Sequence, residues 1–434
     1  MKIMKFGGTS VGKPERMKQI SVLITNQQEP TIVVLSALSG TTNALVELND
    51  LLLSKNNDLF TKKITALENH YISFINELFT QNEFIQQGLE IIKPHFDFLK
   101  ITQKISFNES IQKEILAQGE LLSTKIFSLY LQSISIKHAF LNAFDFMKMD
   151  KNDEPDLSFI TSNINPILVE KNEHIYITQG YICKNHKNEI DNLKRGGSDY
   201  TASLLAAATN SSVCEIWTDI DGMHNNDPRI VDKTNPIENL SFDEAAELAY
   251  FGAKILHPTC IWPAQKATIP VKLLNTMEPL SKGTTISNIN LINGIKAVAA
   301  KDAITAVKIK SSRMLLAHGF LKKVFEIFEK HSISIDMITT SEVAVAVSID
   351  NETNLTQASE ELSKLGEVEI IKNQTIIALV GNNIALDTHF FGQLFQAING
   401  IQITMIDFGG SNNNISILVN MDHKKQILQL INQK

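Results

Sequence analysis

The chain has 434 residues, 43% of them apolar and 20% charged, enough to build the cores of roughly two to three globular domains. Its 40 Lys and Arg against 47 Asp and Glu leave a formal charge of −7, which argues against a nucleic-acid partner, since such proteins carry a basic stripe. No apolar run reaches a membrane span of roughly 18–20 residues and no leader opens the chain, while Cys183, Cys214 and Cys260 are too sparse for a disulfide framework, so a cytoplasmic protein without membrane contacts is expected.

Lys2–Phe6 reads as a short strand ending in Gly7-Gly8. Pro14 suits the first turn of a helix whose apolar positions are Met17, Ile20, Val22, Leu23 and Ile24. Thr31–Ser36 (TIVVLS) is the run of a strand buried on both faces. Strand, helix and strand in so short a span make a βαβ unit, the building block of parallel sheets. Long helical patterns follow at Ala44–Leu53, Thr61–Phe79 and Ile111–Leu131. Strand signals return at Ile175–Thr178, Val213–Trp217 and Val271–Leu274, with helices starting near Asp199 and Ser241. Residues 1–295 therefore read as one α/β domain.

The tail changes character. Ile304–Ile309 alternates as a strand, Phe320–His331 is an amphipathic helix, Ile333–Ile338 and Val343–Ile349 are strands, and Leu355–Leu365 is a helix. The series then recurs at Thr375–Val380, His389–Ile398, Ile401–Ile406, Ile415–Val419 and Lys424–Ile431. Ile333, Ile335, Ile338, Val347 and Ile349 reappear 68 residues later as Ile401, Ile403, Ile406, Ile415 and Ile417. Two ferredoxin-like β-α-β-β-α-β domains are expected, 296–374 and 375–434, of a kind that binds a ligand or another subunit.

Four segments carry chemistry. In Lys5-Phe6-Gly7-Gly8-Thr9-Ser10, glycines after a strand let backbone N–H groups approach an anion, and a lysine supplies a point charge for phosphate; a plain tight connection would look the same. Gly7 to Lys13 fits G-x-x-x-x-G-K, but Pro14 stands where a phosphate-binding loop needs a hydroxyl, which rejects that motif. In Arg195-Gly196-Gly197-Ser198-Asp199, two glycines precede a helix; Ser198 or Asp199 caps it, or its N-terminus receives an anion beside a carboxylate-clamping arginine. Thr218-Asp219 at a strand end sits where ligands bind in open α/β sheets, and Asp227-Pro228-Arg229 reads as a turn carrying Arg229 towards a phosphate; a plain polar loop is the alternative. In Phe251–Pro258, Lys254 follows a glycine turn as a phosphate contact, whereas His257 reads as structural. Together these suggest phosphate handling at the carboxyl ends of parallel strands.

The segments in order resemble the aspartate kinase family of the amino-acid-kinase superfamily: KFGGTSV at Lys5, SALSGTTN at Ser36, QGELLST at Gln118, RGGSDYTA at Arg195, WTDIDG at Trp217, DPR at Asp227 and FGAKILHP at Phe251. RMLLAHGFLKKVF at Arg313 and TTSEVAVAVSID at Thr339 are similar to that family's paired ACT regulatory domains. The resemblance implies an αβα sandwich around a mainly parallel sheet, with ATP and Mg²⁺ phosphorylating the side chain of L-aspartate. It assigns Lys5 and Asp199 to catalysis, Thr42, Glu120, Arg195 and Ser198 to aspartate, and Gly7, Gly8, Thr218, Asp219, His224, Arg229 and Lys254 to the nucleotide, with no protein-built metal site. It also implies feedback by an end-product amino acid, lysine foremost, at Met314, Gly319, Phe320, Asp336 and Ser341, and a homodimer or larger homo-oligomer. Met314 and Phe320 could equally be ordinary core. Lys194, Cys183 and His224 depart from the family pattern, where glycine, glycine and tyrosine are usual. Another amino-acid or carbamate kinase and a non-catalytic amino-acid sensor are the competing expectations; fusion to a homoserine dehydrogenase is not expected, because no dinucleotide fingerprint is present.

Overall fold

A computed structural model describes residues 1–194, 196–251, 256–288, 293–314 and 318–432. The chain divides into two compact units, Met1–Gly222 with Leu256–Asn288, and Met223–Ile255 with Ile289–Lys434.

In the first unit β1 (Lys2–Phe6) runs into a single turn, α1 (Gly8–Val11), and then α2 (Pro14–Thr25), with Pro14 at its first position. Met17, Ile20 and Ile24 of α2 face the core, but Val22 is 58% exposed, because it lies off that stripe. Next come β2 (Thr31–Leu35), α3 (Thr41–Leu53), α4 (Asn57–Leu78), α5 (Asn82–Thr102) and α6 (Glu109–Ser133). Asn56 and Asn108 cap α4 and α6 by accepting backbone N–H groups. The series continues with β3 (Ala139–Leu141), α7 (Leu157–Lys171), β4 (Ile175–Gln179), a β5 (Ile182–Lys184) and β6 (Ile190–Asn192) hairpin, α8 (Gly197–Thr209) and β7 (Val213–Thr218).

After the second unit's β8 (Asn239–Ser241) and α9 (Phe242–Phe251), the first resumes with α10 (Pro258–Lys266), β9 (Val271–Asn275) and β10 (Thr284–Ser287). Its strands lie in the order β3-β4-β2-β1-β7-β9-β10. Pairing is parallel up to β9, and β10 runs antiparallel to β9. All five residues of β2 are buried, as a strand covered on both faces requires. The carboxyl ends of β1, β2 and β7 thus share one edge.

The second unit is built on two long strands, β11 (Gly294–Lys310) and β14 (Glu367–Asn382). Between them lie α11 (Phe320–Lys330), β12 (Met337–Thr340), β13 (Ala344–Ile349) and α12 (Leu355–Leu362). After them come α13 (Thr388–Ala397), β15 (Ile403–Asp407), β16 (Asn414–Asn420) and α14 (Lys424–Asn432). The sheet order is β12-β13-β11-β14-β16-β15. The two ferredoxin-like halves appear, but they are nested. The carboxyl half of β11 pairs with β13, while its amino half lies along β14 from Ala297↔Val380 to Lys301↔Ile376. Both boundaries read from the sequence, 295/296 and 374/375, therefore fall inside strands, and the later half borrows a strand that precedes the earlier one.

Segment 223–255, read from the sequence as part of the first domain, packs in the second unit. Val231 is buried among Ile377, Leu379 and Ile415. Asn226 Nδ2 donates to Leu428 O at 3.0 Å, and Lys296 pairs with the fully buried Glu244 at 2.7 Å. Among the described residues no helix is long and apolar enough to cross a membrane.

Candidate active site

A cavity of about 620 Å³ opens at the carboxyl ends of β1, β2 and β7. Its lining includes Lys5, Gly7, Gly8, Thr42, Glu120, Ser198, Thr218 and Asp219. Lys5 is the centre. Its Nζ lies 2.7 Å from Asp199 Oδ1, and both side chains are largely buried. The side-chain cap that the sequence offered as one alternative is not formed: the cap of α8 is Gly196, without a side-chain bond, and the Asp199 carboxylate holds the lysine instead. Gly196 has φ of +57°, and a Cβ there would fall 2.1 Å from Cys260 Sγ. At Gly7 a Cβ would stand 3.3 Å from Lys5 Nζ, so this glycine leaves room around the ammonium.

Glu120 projects from α6. Its Oε1 accepts the Ala37 N–H at 3.1 Å, while Oε2 is buried without a hydrogen-bond partner among the described residues. Burial pushes its carboxyl up to about 8, with the Ala37 N–H and the charge of Lys5 pulling the other way. An unmatched buried carboxylate oxygen facing a cavity is a receptor for a cationic donor. Ser36 Oγ donates to Ser198 Oγ at 2.9 Å, joining the end of β2 to the start of α8. Thr218 Oγ1 donates to Asp219 Oδ1 at 3.2 Å, at the end of β7.

Arg195 and Lys254 lie outside the described residues. His224 and Arg229 belong to the second unit. His224 Nδ1 is 2.8 Å from Thr234 Oγ1, and Arg229 grips Asp227 through Nε at 2.9 Å and Nη2 at 2.8 Å, with its side chain 82% exposed. His257 takes the structural part expected, accepting the Thr259 N–H as the cap of α10.

Sequence reasoning gave no role to Ser36, Ser39 and Tyr181, which also line the cavity, and noted Lys194, another lining residue, only as a departure from the family pattern. Tyr181 carries the clearest signal, since it follows Gly180 and sits at φ +66°, a conformation costly for an aromatic residue.

The regulatory candidates lie in the second unit. Phe320 starts α11 and is buried with Val324 and Phe328, and Met314 packs at the edge of that cluster. The core reading of both is therefore met, without bearing on a ligand. Gly319 caps α11 at φ +82°. Ser341 is exposed in the turn between β12 and β13, its N–H donating to Ala344 O at 2.8 Å. Asp336 is deeply buried beside Lys301.

Residues 1–275 match the model of the amino acid kinase family. The chain is 34% identical to the lysine-sensitive aspartokinase 3 of Escherichia coli over 98% of its own length and 97% of the relative's. It superposes on the crystal structure of E. coli aspartokinase III in complex with lysine and aspartate with a TM-score of 0.83, at 32% identity, covering 100% of this chain and 99% of that one. The same protein in complex with aspartate and ADP gives 0.82, at the same identity and coverage.

Proposed function

We propose residue roles for this chain, which belongs to the amino acid kinase family and, within it, to the aspartokinases. It is an aspartate kinase: ATP gives its γ-phosphoryl to the side-chain carboxylate of L-aspartate, forming 4-phospho-L-aspartate and ADP. The observation that supports our roles best is the Lys5–Asp199 pair sharing one cavity with the half-satisfied Glu120.

The nucleophile is a carboxylate with a pKa of ~4, ionised at neutral pH, so no base is required. The obstacle is repulsion between two anions, and the site answers it with charge and positioning. Lys5 sits against the phosphoryl oxygens and neutralises them as transfer proceeds. Asp199 holds Lys5 in place. Gly7 and Gly8 bring backbone N–H groups to the phosphates, and Thr218 and Asp219 receive the nucleotide at the end of β7. Glu120 Oε2 takes the α-ammonium of aspartate, Arg195 its α-carboxylate, and Thr42 and Ser198 complete its seat. For His224, Arg229 and Lys254 the nucleotide role rests on the resemblance alone.

No cluster of three metal-ligating side chains occurs among the described residues. The Asp219 carboxylate and the Ser39 and Thr218 hydroxyls in the cavity lining suit a magnesium ion carried by the phosphates and retaining its waters. Such an ion would screen phosphate charge.

The first unit carries catalysis and the ACT-like halves carry feedback, with lysine the leading effector, as the name of the lysine-sensitive relative supports. Asp336 is the partner for the effector's ammonium, and Met314, Gly319, Phe320 and Ser341 keep the regulatory role that the resemblance implies. A homodimer or larger homo-oligomer follows from the same reading, and three buried cysteines that form no disulfide fit a cytoplasmic setting. The test is coupled ADP release with hydroxylamine trapping, with and without L-aspartate, repeated with lysine, threonine and methionine. One hydroxamate per ADP, only with aspartate, is expected; ADP release indifferent to aspartate would refute the reading.

A further inference from the structure

Asp336 already holds an ammonium. Its Oδ1 accepts from Lys301 Nζ at 2.7 Å and from the Tyr250 hydroxyl at 2.5 Å. Lys301 reaches it from β11, where it also pairs with Asp350 Oδ2 at 3.0 Å, and Tyr250 reaches it from α9, within the same unit. The Lys301 ammonium lies 4.8 Å from the centroid of the Tyr250 ring. Two carboxylates and an aromatic face around a primary ammonium form a receptor for that group. Here the chain's own lysine fills it.

The second oxygen is different. Asp336 Oδ2 is buried and has no hydrogen-bond partner among the described residues, on a side chain only 2% exposed. A carboxylate half satisfied in a buried place still attracts a donor. Lys301, 20% exposed, and Tyr250, 47% exposed, stand on the solvent side of it.

We propose that Lys301 and Tyr250 are a built-in plug on Asp336, an internal ammonium and phenol that an amino-acid effector must displace, so that they set the concentration at which feedback begins. The inference rests on the regulatory reading of Asp336 above and adds the competitor. Neither residue belongs to the catalytic cavity. Displacement is an exchange of one ammonium for another, so the net gain is small and removing the competitor sharpens binding. Removal of Lys301 also leaves Asp336 and Asp350 facing each other unneutralised, which draws in a cation more strongly.

The experiment titrates L-lysine against aspartate-dependent ADP release, and by calorimetry, using the full chain and its Lys301→Gln and Tyr250→Phe variants. Loss of the charged competitor lowers the half-inhibitory concentration of lysine about tenfold, and loss of one hydroxyl donor lowers it roughly threefold. Uninhibited turnover stays within about twofold of the parent in both. Should Lys301→Gln melt early, Tyr250→Phe decides, because it keeps the ion pair and the ring. Lysine sensitivity that is unchanged or weakened in a well-folded Tyr250→Phe variant, while the parent is inhibited, overturns the plug alone. A parent that neither binds lysine nor is inhibited by it overturns the regulatory reading, and the plug with it.

Discussion

Two lysine–aspartate pairs of the same length, 2.7 Å, lie in the two units, Lys5–Asp199 in the first and Lys301–Asp336 in the second. The first opens on a cavity of about 620 Å³, and the second closes over an aspartate whose side chain is 2% exposed. An ion pair at the wall of a cavity keeps the cation aimed at an incoming anion. A pair joined by a phenol and a second carboxylate fills one oxygen of its aspartate and leaves the other buried and unmatched among the described residues. The same two side chains thus serve as machinery or as a stopper, and what surrounds them decides which.

The comparison is broken most severely at Lys5. Lys5→Ala lowers kcat by ~10²- to 10³-fold, the scale of removing one preorganised donor to developing charge; stopped assays of ADP release measure it, and near-normal turnover would remove Lys5 from the chemistry. Glu120→Gln comes next, raising KM for aspartate by roughly 10- to 100-fold, because a hydrogen bond to a charged group is lost.

The pH profile sharpens that assignment. Burial pushes Glu120 up to about 8, so below that pH the aspartate ammonium must displace a proton. In the parent kcat/KM for aspartate climbs by up to about tenfold per pH unit and levels near pH 8, whereas Glu120→Gln loses this rise. Asp336→Asn weakens lysine inhibition by about tenfold or more and leaves uninhibited turnover intact, checked by the same assay with added effector.

The smallest effect concerns stability. The folded pKa of Glu120 stands above its unfolded value, so its contribution is full below about pH 4.3 and is lost as pH rises towards 8. Glu120→Gln escapes that loss and gains on the order of 1–3 kcal/mol at pH 8, visible as a higher melting temperature than the parent at pH 8.

How much was legible before the structure depended on the range of the signal. The β1–Gly7–Gly8 turn and the buried run of β2 are local, and periodicity and turn chemistry found them. The partnership of Asp199 was not local. On α8 the residue is equally plausible as a cap, so local pattern alone was silent and only the resemblance implied that Asp199 serves Lys5; the folded sheet brings the two to 2.7 Å. The nesting of the second unit was hidden because the amino half of β11, Gly294–Lys301, mixes glycine and lysine with alanine and lacks a clean alternation. The clustering of segment 223–255 with the second unit was hidden because it rests on partners distant in sequence, such as Ile377 and Leu379 around Val231, Leu428 for Asn226 and Lys296 for Glu244, which no local pattern announces. The resemblance named Asp336, but no motif could have foretold that Lys301 and Tyr250, from two distant elements, already hold it.

The central claim is that two anions meet on a cationic cradle with no proton abstracted in the transfer. Single-turnover formation of 4-phospho-L-aspartate, followed by rapid quench in H₂O and D₂O at matched acidity and saturating substrates, tests it most directly. Equal rates in the two solvents are predicted; a marked slowing in D₂O would put a proton in flight at the transition state and contradict the account.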